Sequence, residues 1–132
     1  MVEVRQATAD DWRDLKYIRL KALKVDPLSF GSNYTDESQK SDDDWQKQVT
    51  KADCAIFLVY DGNIPVGMTA VGIDVHDKTK RTAFLWGSWL EPRLRGQGIS
   101  KKIYQQRITW VEQHPTANKI IVACRESNRA SQ

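Results

Sequence analysis

The turn Arg95-Gly96-Gln97-Gly98-Ile99-Ser100 is the part of the sequence whose residue types point most directly to chemistry. It lies between a predicted strand and a predicted helix. Gly96 and Gly98 allow positive φ and close approach of a ligand, while the first-turn N–H groups of a helix have no intrahelical partners and carry the positive end of the helix dipole. Such amides bind phosphate. Four cationic side chains lie near this turn: Arg93, Arg95, Lys101 and Lys102. The pattern therefore favours a diphosphate ligand.

Other phosphate motifs fit this turn less well. A Walker loop ends in Gly-Lys-Ser or Gly-Lys-Thr, and the dinucleotide fingerprint needs a third glycine within a β-α-β unit. The turn has neither feature. A tight strand-to-helix turn that uses glycine and binds nothing is the alternative, and two glycines alone do not decide between these interpretations.

Hydrophobic periodicity predicts an α+β domain around the turn, in the order strand, two helices, three strands, turn, helix and strand. The predicted elements are a strand at Val2–Arg5, helices at Trp12–Val25 and Ser41–Lys51, strands at Cys54–Tyr60, Ile64–Asp74 and Thr82–Leu90, a helix from Ile99 ended by His114-Pro115, and a strand at Lys119–Cys124. Gly87-Ser88 predicts a β-bulge in the strand before the turn. If that strand is regular, Trp86 and Trp89 point to opposite faces.

Composition limits the function classes. The 132 residues are 40% hydrophobic and 28% charged, which fits one folded domain and excludes disorder. The net charge of +3 is too small to make nucleic acid the main partner. Neither a signal segment nor an apolar run of about twenty residues is present, so we expect a cytoplasmic protein without a membrane partner. Cys54 and Cys124 are predicted to be buried free thiols, and no metal cluster is visible.

The run Leu90–Ser100 resembles the acyl-CoA pyrophosphate loop of the GNAT superfamily of N-acetyltransferases. The signature of that family has Gln or Arg, two residues, Gly, one residue, and then Gly or Ala. Arg95, Gly98 and Ser100 occupy these places, and Ser100 departs from the pattern while staying small. The predicted elements are similar to the family's over nearly the whole chain. The resemblance implies a three-layer α/β/α fold: a mixed, mostly antiparallel sheet with helices on both faces.

The resemblance also implies acetyl-CoA as co-substrate, without a metal, between the splayed fourth and fifth strands. The cofactor-binding residues that it implies are Trp89, Leu90, Arg95, Gly96, Gln97, Gly98, Ile99, Ser100 and Asn128. The backbone of Trp89 and Leu90 would bond the pantetheine amides, and an N–H freed at Gly87-Ser88 would polarise the thioester carbonyl. Leu23–Ser32 resembles the segment that covers the acceptor pocket, and Phe30 and Tyr34 are predicted to contact the acceptor.

The implied activity is N-acetylation of a primary amine, on a small molecule or a protein, by direct attack in a ternary complex. The sequence does not identify the general base, and the candidates are Ser88, Glu91 and Asp74. The family's proton-donating Tyr would follow Asn128, and its last helix and two strands have no counterpart. We therefore expect one GNAT-like domain over residues 1–132, truncated at the C-terminus. An incomplete sheet would expose a strand edge, which makes a homodimer possible.

Two other classes of function stay open at this stage. One is an acyl-CoA-binding module without turnover, because the proton donor and the C-terminal elements are missing. The other, weaker, is a basic nucleic-acid-binding domain that uses exposed aromatic side chains.

Overall fold

The chain builds one mixed sheet with helices packed on both of its faces. The computed structural model describes residues 2–27 and 33–122. The strands are β1 (Val2–Gln6), β2 (Cys54–Asp61), β3 (Ile64–Ile73), β4 (Thr82–Leu90) and β5 (Lys119–Val122), and the helices are α1 (Trp12–Val25), α2 (Tyr34–Ser38), α3 (Asp42–Thr50) and α4 (Ile99–Gln113). The strands follow chain order in the sheet, antiparallel from β1 to β4 and parallel between β4 and β5. This architecture confirms the predicted fold class.

The central hairpin forms because β2 and β3 are apolar on both sides. Almost every residue between Ala55 and Gly72 outside the turn is buried or half-buried, as expected for strands covered on both faces. The connecting turn has two residues, Gly62 and Asn63, and Gly62 takes a φ of +64°. A positive φ at the first turn position suits the right-handed twist of a hairpin. The strands predicted at Cys54–Tyr60 and Ile64–Asp74 therefore correspond to β2 and β3 of this hairpin.

Helices α1 and α3 cover one side of the sheet, which we call the α1 face. The α1 side chains Leu15, Ile18, Ala22 and Leu23 are buried there, together with Trp45 of α3 and the side chains of Leu58, Met68 and Trp89. Ser41 caps α3, since its hydroxyl accepts a hydrogen bond from the Asp44 amide at 3.1 Å. The α1 face is thus a packed helix-on-sheet layer.

Helix α4 covers the opposite side, which we call the α4 face. Its residues Ile99, Ile103 and Val111 are buried against apolar side chains of the sheet. These sheet residues include Val59, Val66, Val71, Leu85 and Leu90. Because the first turn of α4 carries the buried Ile99, the helix start is held close to the end of β4. Among the residues that the structure describes, no helix is both long and apolar enough to cross a membrane.

The C-terminal end of α1 is tied to the end of β4 through Asp26. Its carboxylate accepts a hydrogen bond from Trp89 Nε1 at 2.6 Å and one from an Arg95 guanidinium nitrogen at 3.0 Å. Arg95 Nε also donates to the Leu90 carbonyl at 2.9 Å. The hydrogen bond from Trp89, with a further contribution from Arg95, lowers the pKa of Asp26. These contacts fix the position of the segment that leaves β4.

Gly67 supplies the first test of the packing between β3 and β4. A Cβ built on this residue would lie 2.9 Å from the Trp89 carbonyl oxygen and 3.2 Å from Val59 Cβ. We expect Gly67→Ala to lower the free energy of unfolding by about 1–3 kcal/mol, because backbone and core side chains have to shift. Urea denaturation measures this change. Gly62→Asn is the control: no atom lies within 4 Å of a Cβ built there and Asn tolerates positive φ, so the loss should stay below about 1 kcal/mol. Equal losses in the two variants would contradict the close-contact explanation.

Asp26 supplies a test with a defined pH dependence. An asparagine at this position keeps an oxygen for Trp89 but removes the charge beside Arg95, so Asp26→Asn should lower the free energy of unfolding at neutral pH. The pKa of Asp26 is lowered in the folded state, so its stabilising effect is present above the ordinary aspartate pKa of about 3.9 and is lost as the pH falls through the folded value. Denaturation at a series of pH values should show the difference between wild type and variant shrinking below about pH 4. A difference that does not vary with pH would mean that the charge contributes nothing.

Candidate functional site

The predicted irregularity in β4 is a β-bulge at Gly87-Ser88. Met68 pairs with Trp89 and Ala70 pairs with Trp86, so Thr69 of β3 faces two residues of β4. Gly87 has a φ of +68°, a conformation that L side chains rarely adopt. The bulge interrupts the regular hydrogen-bonding alternation of β4 at this point. A glycine-serine pair inside an apolar strand was the sequence signal for it.

The bulge changes which way the two tryptophans of β4 point. Because of the extra residue, Trp86 and Trp89 pair with Ala70 and Met68, which lie two positions apart and so share a face. The expectation of opposite faces, made for a regular strand, is therefore corrected. Trp89 is buried in the core of the α1 face, whereas Trp86 packs over Gly72 and is 38% exposed.

Beyond the bulge, the backbone of β4 alternates between facing β3 and facing away from it. The Glu91 amide donates a hydrogen bond to the Val66 carbonyl at 2.9 Å. Because successive residues of a strand point their backbone groups in alternate directions, Trp89, two residues before Glu91, also directs its backbone groups to β3. Leu90 then directs its N–H and C=O to the other side, where Arg95 Nε already reaches its carbonyl. Within the described residues, β5 pairs with Thr82–Leu85 of β4. The Leu90 amide thus faces the side on which β5 enters the sheet.

The glycine turn leads directly into α4. Gly96 and Gly98 take φ values of +78° and +82°, and no atom lies within 4 Å of a Cβ built on either residue. Gly98 is the N-cap of α4, and no side-chain hydrogen bond caps the helix there. The first turn of α4 contains no acidic residue. The helix therefore presents backbone amides and a positive dipole end beside open space, which suits a phosphate group.

The remaining predicted loop residues have different roles. Ile99 is buried and anchors the helix, while Ser100 is exposed. Gln97 donates from Nε2 to the Arg93 carbonyl at 2.9 Å and so closes the turn. Arg95 lies beside Asp26 and the Trp89 ring, with 49% of its side chain exposed. A diphosphate would thus meet mainly backbone amides, with Arg95 at the margin.

Ser88 belongs to a polar cluster on the α4 face of the bulge. Its hydroxyl lies 2.6 Å from the Thr69 hydroxyl and accepts a hydrogen bond from Arg107 of α4 at 3.1 Å. Thr69 and Arg107 are both buried. Burial lowers the pKa of the Arg107 guanidinium, and the Tyr104 ring lies 5.8 Å from it. Sequence analysis missed Arg107, because an arginine at a helix position is usually exposed.

A second charged group borders the bulge on the α1 face. Arg19 of α1 binds Glu37 of α2 through two hydrogen bonds of 3.0 Å each, and Glu37 is only 4% exposed. A guanidinium nitrogen of Arg19 lies 3.8 Å from the position of a Cβ on Gly87. This pair was also missed by sequence analysis. The only available signal was an arginine next to the buried stripe of α1.

The three candidate bases do not lie together. Ser88 is in the bulge, whereas Glu91 follows β4 and pairs with Lys21 at 2.6 Å. Asp74 bonds the Thr82 carbonyl through its amide, at the other end of β4 and about 20 Å along the strand from Ser88. Asp74 instead lines a cavity of about 320 Å³ that also borders Trp86.

The other predicted positions are placed as follows. Tyr34 begins α2 and is 42% exposed. Phe30, Asn128 and Cys124 lie outside the described residues. Cys54 is a free, half-buried thiol, and burial raises its pKa. In the part of the chain that the structure describes, His, Cys, Asp and Glu side chains form no group of three or more that could hold a metal ion.

The residues of the turn fit an acyl-CoA. The open space over Gly96 and Gly98 would be reduced by any larger side chain, and the uncapped amides of α4 face it. A nucleotide pyrophosphate matches this combination of backbone donors, space and positive dipole. The outward-facing backbone of Leu90 continues from the same point toward the bulge.

Solved structures share this fold at low sequence identity. A predicted acetyltransferase from Clostridium acetobutylicum with acetyl-CoA is 16% identical, with a TM-score of 0.71 over 98% of this chain and 85% of that chain. A GNAT-family acetyltransferase from Streptococcus pneumoniae is 14% identical, with a TM-score of 0.79 over 99% and 79%. An aminoglycoside antibiotic 6′-N-acetyltransferase from Acinetobacter baumannii is 18% identical, with a TM-score of 0.70 over 99% and 84%.

Comparison with curated protein sequences gave no match. The family model described as Acetyltransferase (GNAT) family matches residues 12–132, which include both the glycine turn and the bulged strand. The fold, the site and this match agree, and the chain belongs to the GNAT acetyltransferase family.

Proposed function

We propose that this protein is an acetyl-CoA-dependent N-acetyltransferase that acts on a primary amine of a small molecule or a protein. When bound, acetyl-CoA supplies an acetyl group activated as a thioester. In the overall reaction the amine nitrogen replaces the thiol sulfur on the acetyl carbon, and the amine gives up a proton. The residues of this chain have to bind the donor, leave room for the amine and receive that proton.

The observation that carries the proposal is the uncapped N-terminus of α4 beneath two glycines with open space above them. The proposed pyrophosphate contacts are the backbone amides from Arg95 to Ser100. Because backbone amides supply most of the donors, the Arg95 side chain has a smaller role, consistent with its hydrogen bonds to Asp26 and Leu90. Residue Asn128 stays a proposed pantetheine contact through the family resemblance alone.

The proposed pantetheine path follows β4 from Leu90 to the bulge. Leu90 directs its backbone groups away from β3, so it is the better donor and acceptor for the pantetheine amides than Trp89, whose backbone faces β3. At Gly87-Ser88 the interrupted alternation frees an N–H for the thioester carbonyl, where negative charge develops during transfer. The pyrophosphate turn and the bulge thus lie at the two ends of one binding path.

The proposed approach of the acceptor amine is on the α1 face. The Arg19–Glu37 pair borders Gly87 on that side, and the cavity of about 320 Å³ borders Trp86, whose side chain shares that face with Trp89. Glu37 is a carboxylate that can orient an ammonium group through a water molecule. Tyr34, on the same short helix, and Phe30 stay proposed acceptor contacts. The aminoglycoside acetyltransferase among the similar structures supports a small polyamine as the first acceptor to test.

Substitutions at Gly98 test the pyrophosphate site. We expect Gly98→Asp to abolish binding of CoA, because its carboxylate would lie against the pyrophosphate. Gly98→Asn is the matched control: Asn has nearly the same shape and a comparable tolerance of positive φ, but no charge. Isothermal titration calorimetry with CoA should show at least a tenfold weaker affinity for the Asp variant than for the Asn variant. Equal affinities would remove the pyrophosphate from this turn.

Turnover is tested with acetyl-CoA and a panel of amines. The panel contains an aminoglycoside, a linear polyamine, a free amino acid and a lysine peptide, and free thiol release is followed with time. Amine-dependent thiol release supports the transferase. Binding of acetyl-CoA without release on any amine would instead support an acyl-CoA-binding module, and absence of binding would exclude both functions.

A further inference from the structure

Ser88 carries an exposed hydroxyl that two buried polar groups hold in place at the bulge. Its Oγ lies 2.6 Å from the Thr69 hydroxyl of β3 and accepts a hydrogen bond from Arg107 of α4 at 3.1 Å. Thr69 is 1% exposed and Arg107 is 8% exposed, whereas Ser88 is open to solvent. In the part of the chain that the structure describes, β5 pairs with β4 only as far as Leu85. A ligand can therefore reach the Ser88 hydroxyl, although it cannot reach the two groups behind it.

The burial of Thr69 decides which way the two hydroxyl hydrogens point. Among the described residues, Ser88 is the hydrogen-bond partner of the Thr69 hydroxyl. A hydroxyl hydrogen away from water needs an acceptor, because an unsatisfied buried donor costs free energy. Thr69 therefore donates to Ser88, which also accepts from Arg107. Both acceptor positions of the Ser88 oxygen are then occupied, and its own hydrogen is left to donate to a ligand.

Arg107 adds a fixed positive charge behind this hydroxyl. Its Nε is buried without a hydrogen-bond partner, and within residues 2–27 and 33–122 no carboxylate forms an ion pair with it. The described fold thus leaves this charge uncompensated. A preorganised charge in a buried position stabilises negative charge that develops nearby during a reaction. Arg107 needs no contact with the ligand for this effect, since its hydrogen bond polarises the O–H group of Ser88.

The position of Ser88 indicates where that negative charge develops. Ser88 is one of the two bulge residues, and the bulge is where the proposed function has the thioester carbonyl of the donor. The sulfur of the donor is bonded to that carbonyl carbon. The proposed acceptor path lies on the α1 face, whereas the Ser88 hydroxyl faces Arg107 on the α4 face. The hydroxyl is therefore placed for the leaving sulfur and not for the attacking amine.

We propose that Ser88 is a catalytic residue that donates a hydrogen bond to the sulfur of CoA as it leaves, and that Arg107 and Thr69 are its positioning residues. The inference rests on the proposed function, since it uses the same donor site. In this step the amine nitrogen bonds to the acetyl carbon, the carbon–sulfur bond breaks, and its electron pair stays on the sulfur as a thiolate. The proton of the amine leaves to a water molecule on the α1 face, and Ser88 keeps its own proton.

The direct test titrates the thiol of CoA while it is bound to the protein. A thiolate absorbs in the ultraviolet where a thiol does not, so a pH series gives the pKa of the bound thiol. We expect it to lie about one unit below that of free CoA, because a charge-assisted hydrogen bond favours the thiolate. Ser88→Ala should return it to the value of free CoA, and Arg107→Gln should raise it part of the way. Desulfo-CoA, which lacks the sulfur, supplies the baseline, and the same variants should not change its affinity in calorimetry.

Turnover separates a catalytic hydrogen bond from a structural role. Ser88→Ala should lower kcat with acetyl-CoA by about 100-fold and leave its KM nearly unchanged, the usual effect of removing one preorganised donor. Arg107→Gln should lower kcat by about tenfold, and Arg107→Lys, which keeps the charge, should recover part of that loss. The matched control is Thr50→Ala, which removes an exposed hydroxyl at the end of α3 and should change neither kcat nor the pKa of bound CoA.

The outcomes distinguish this inference from the proposed function. If the amine is acetylated but the thiol of bound CoA titrates like free CoA, or if Ser88→Ala keeps the wild-type kcat, the inference is overturned and the proposed function stands. The same holds if Ser88→Ala weakens CoA and desulfo-CoA by one factor, because the residue then only shapes the site. Should Arg107→Gln fail to fold, Arg107→Lys decides: a kcat as low as that of Ser88→Ala overturns the role of the charge. If CoA does not bind, or no amine is acetylated, both are overturned.

Discussion

The hydrogen bonding of β4 is the constraint on which the site depends. An inner strand has to satisfy its N–H and C=O groups on two sides, and β3 satisfies one side almost along the whole of β4. On the other side, the described pairing with β5 covers the first four residues, Thr82–Leu85. The outward-facing backbone near Leu90 and the bulge at Gly87 are the places where we propose that the donor binds. The glycine turn follows the end of β4, and the two charged groups contact the bulge, so both parts of the site adjoin this strand.

Packing on both faces of the sheet fixes the start of α4 next to the end of β4. Ile99, Ile103 and Leu94 bury the start of α4 against Val59, Val66 and Leu90, so the helix amides are held next to the last residues of β4. On the other face, Asp26 ties α1 to Trp89 and Arg95. A shift of the glycine turn would thus disturb both hydrophobic layers. As a consequence, the backbone donors of the proposed phosphate site do not have to be ordered when a ligand binds.

The charges around the bulge divide the site into two sides. The Arg19–Glu37 pair is internally neutral and borders Gly87 on the α1 face, whereas Arg107 reaches Ser88 from the α4 face with no carboxylate beside it in the described part of the chain. The sheet separates them, so the two charged groups border the bulge from opposite faces. This division follows from the alternation of side chains along β4 together with the one-residue shift at the bulge.

Local sequence signals determined much of this protein. Periodicity and turn residues located the hairpin, the bulged strand and α4, because these features depend on neighbouring residues alone, and the glycine turn was recognisable for the same reason. The burial of Arg107, the pairing of Arg19 with Glu37 and the common face of Trp86 and Trp89 were decided only by tertiary structure. Each of them joins segments far apart in the chain or depends on strand register, and a single inserted residue reverses the direction of every side chain that follows it. The separation of Asp74 from Ser88 has the same origin, since only the folded strand sets the distance between its two ends.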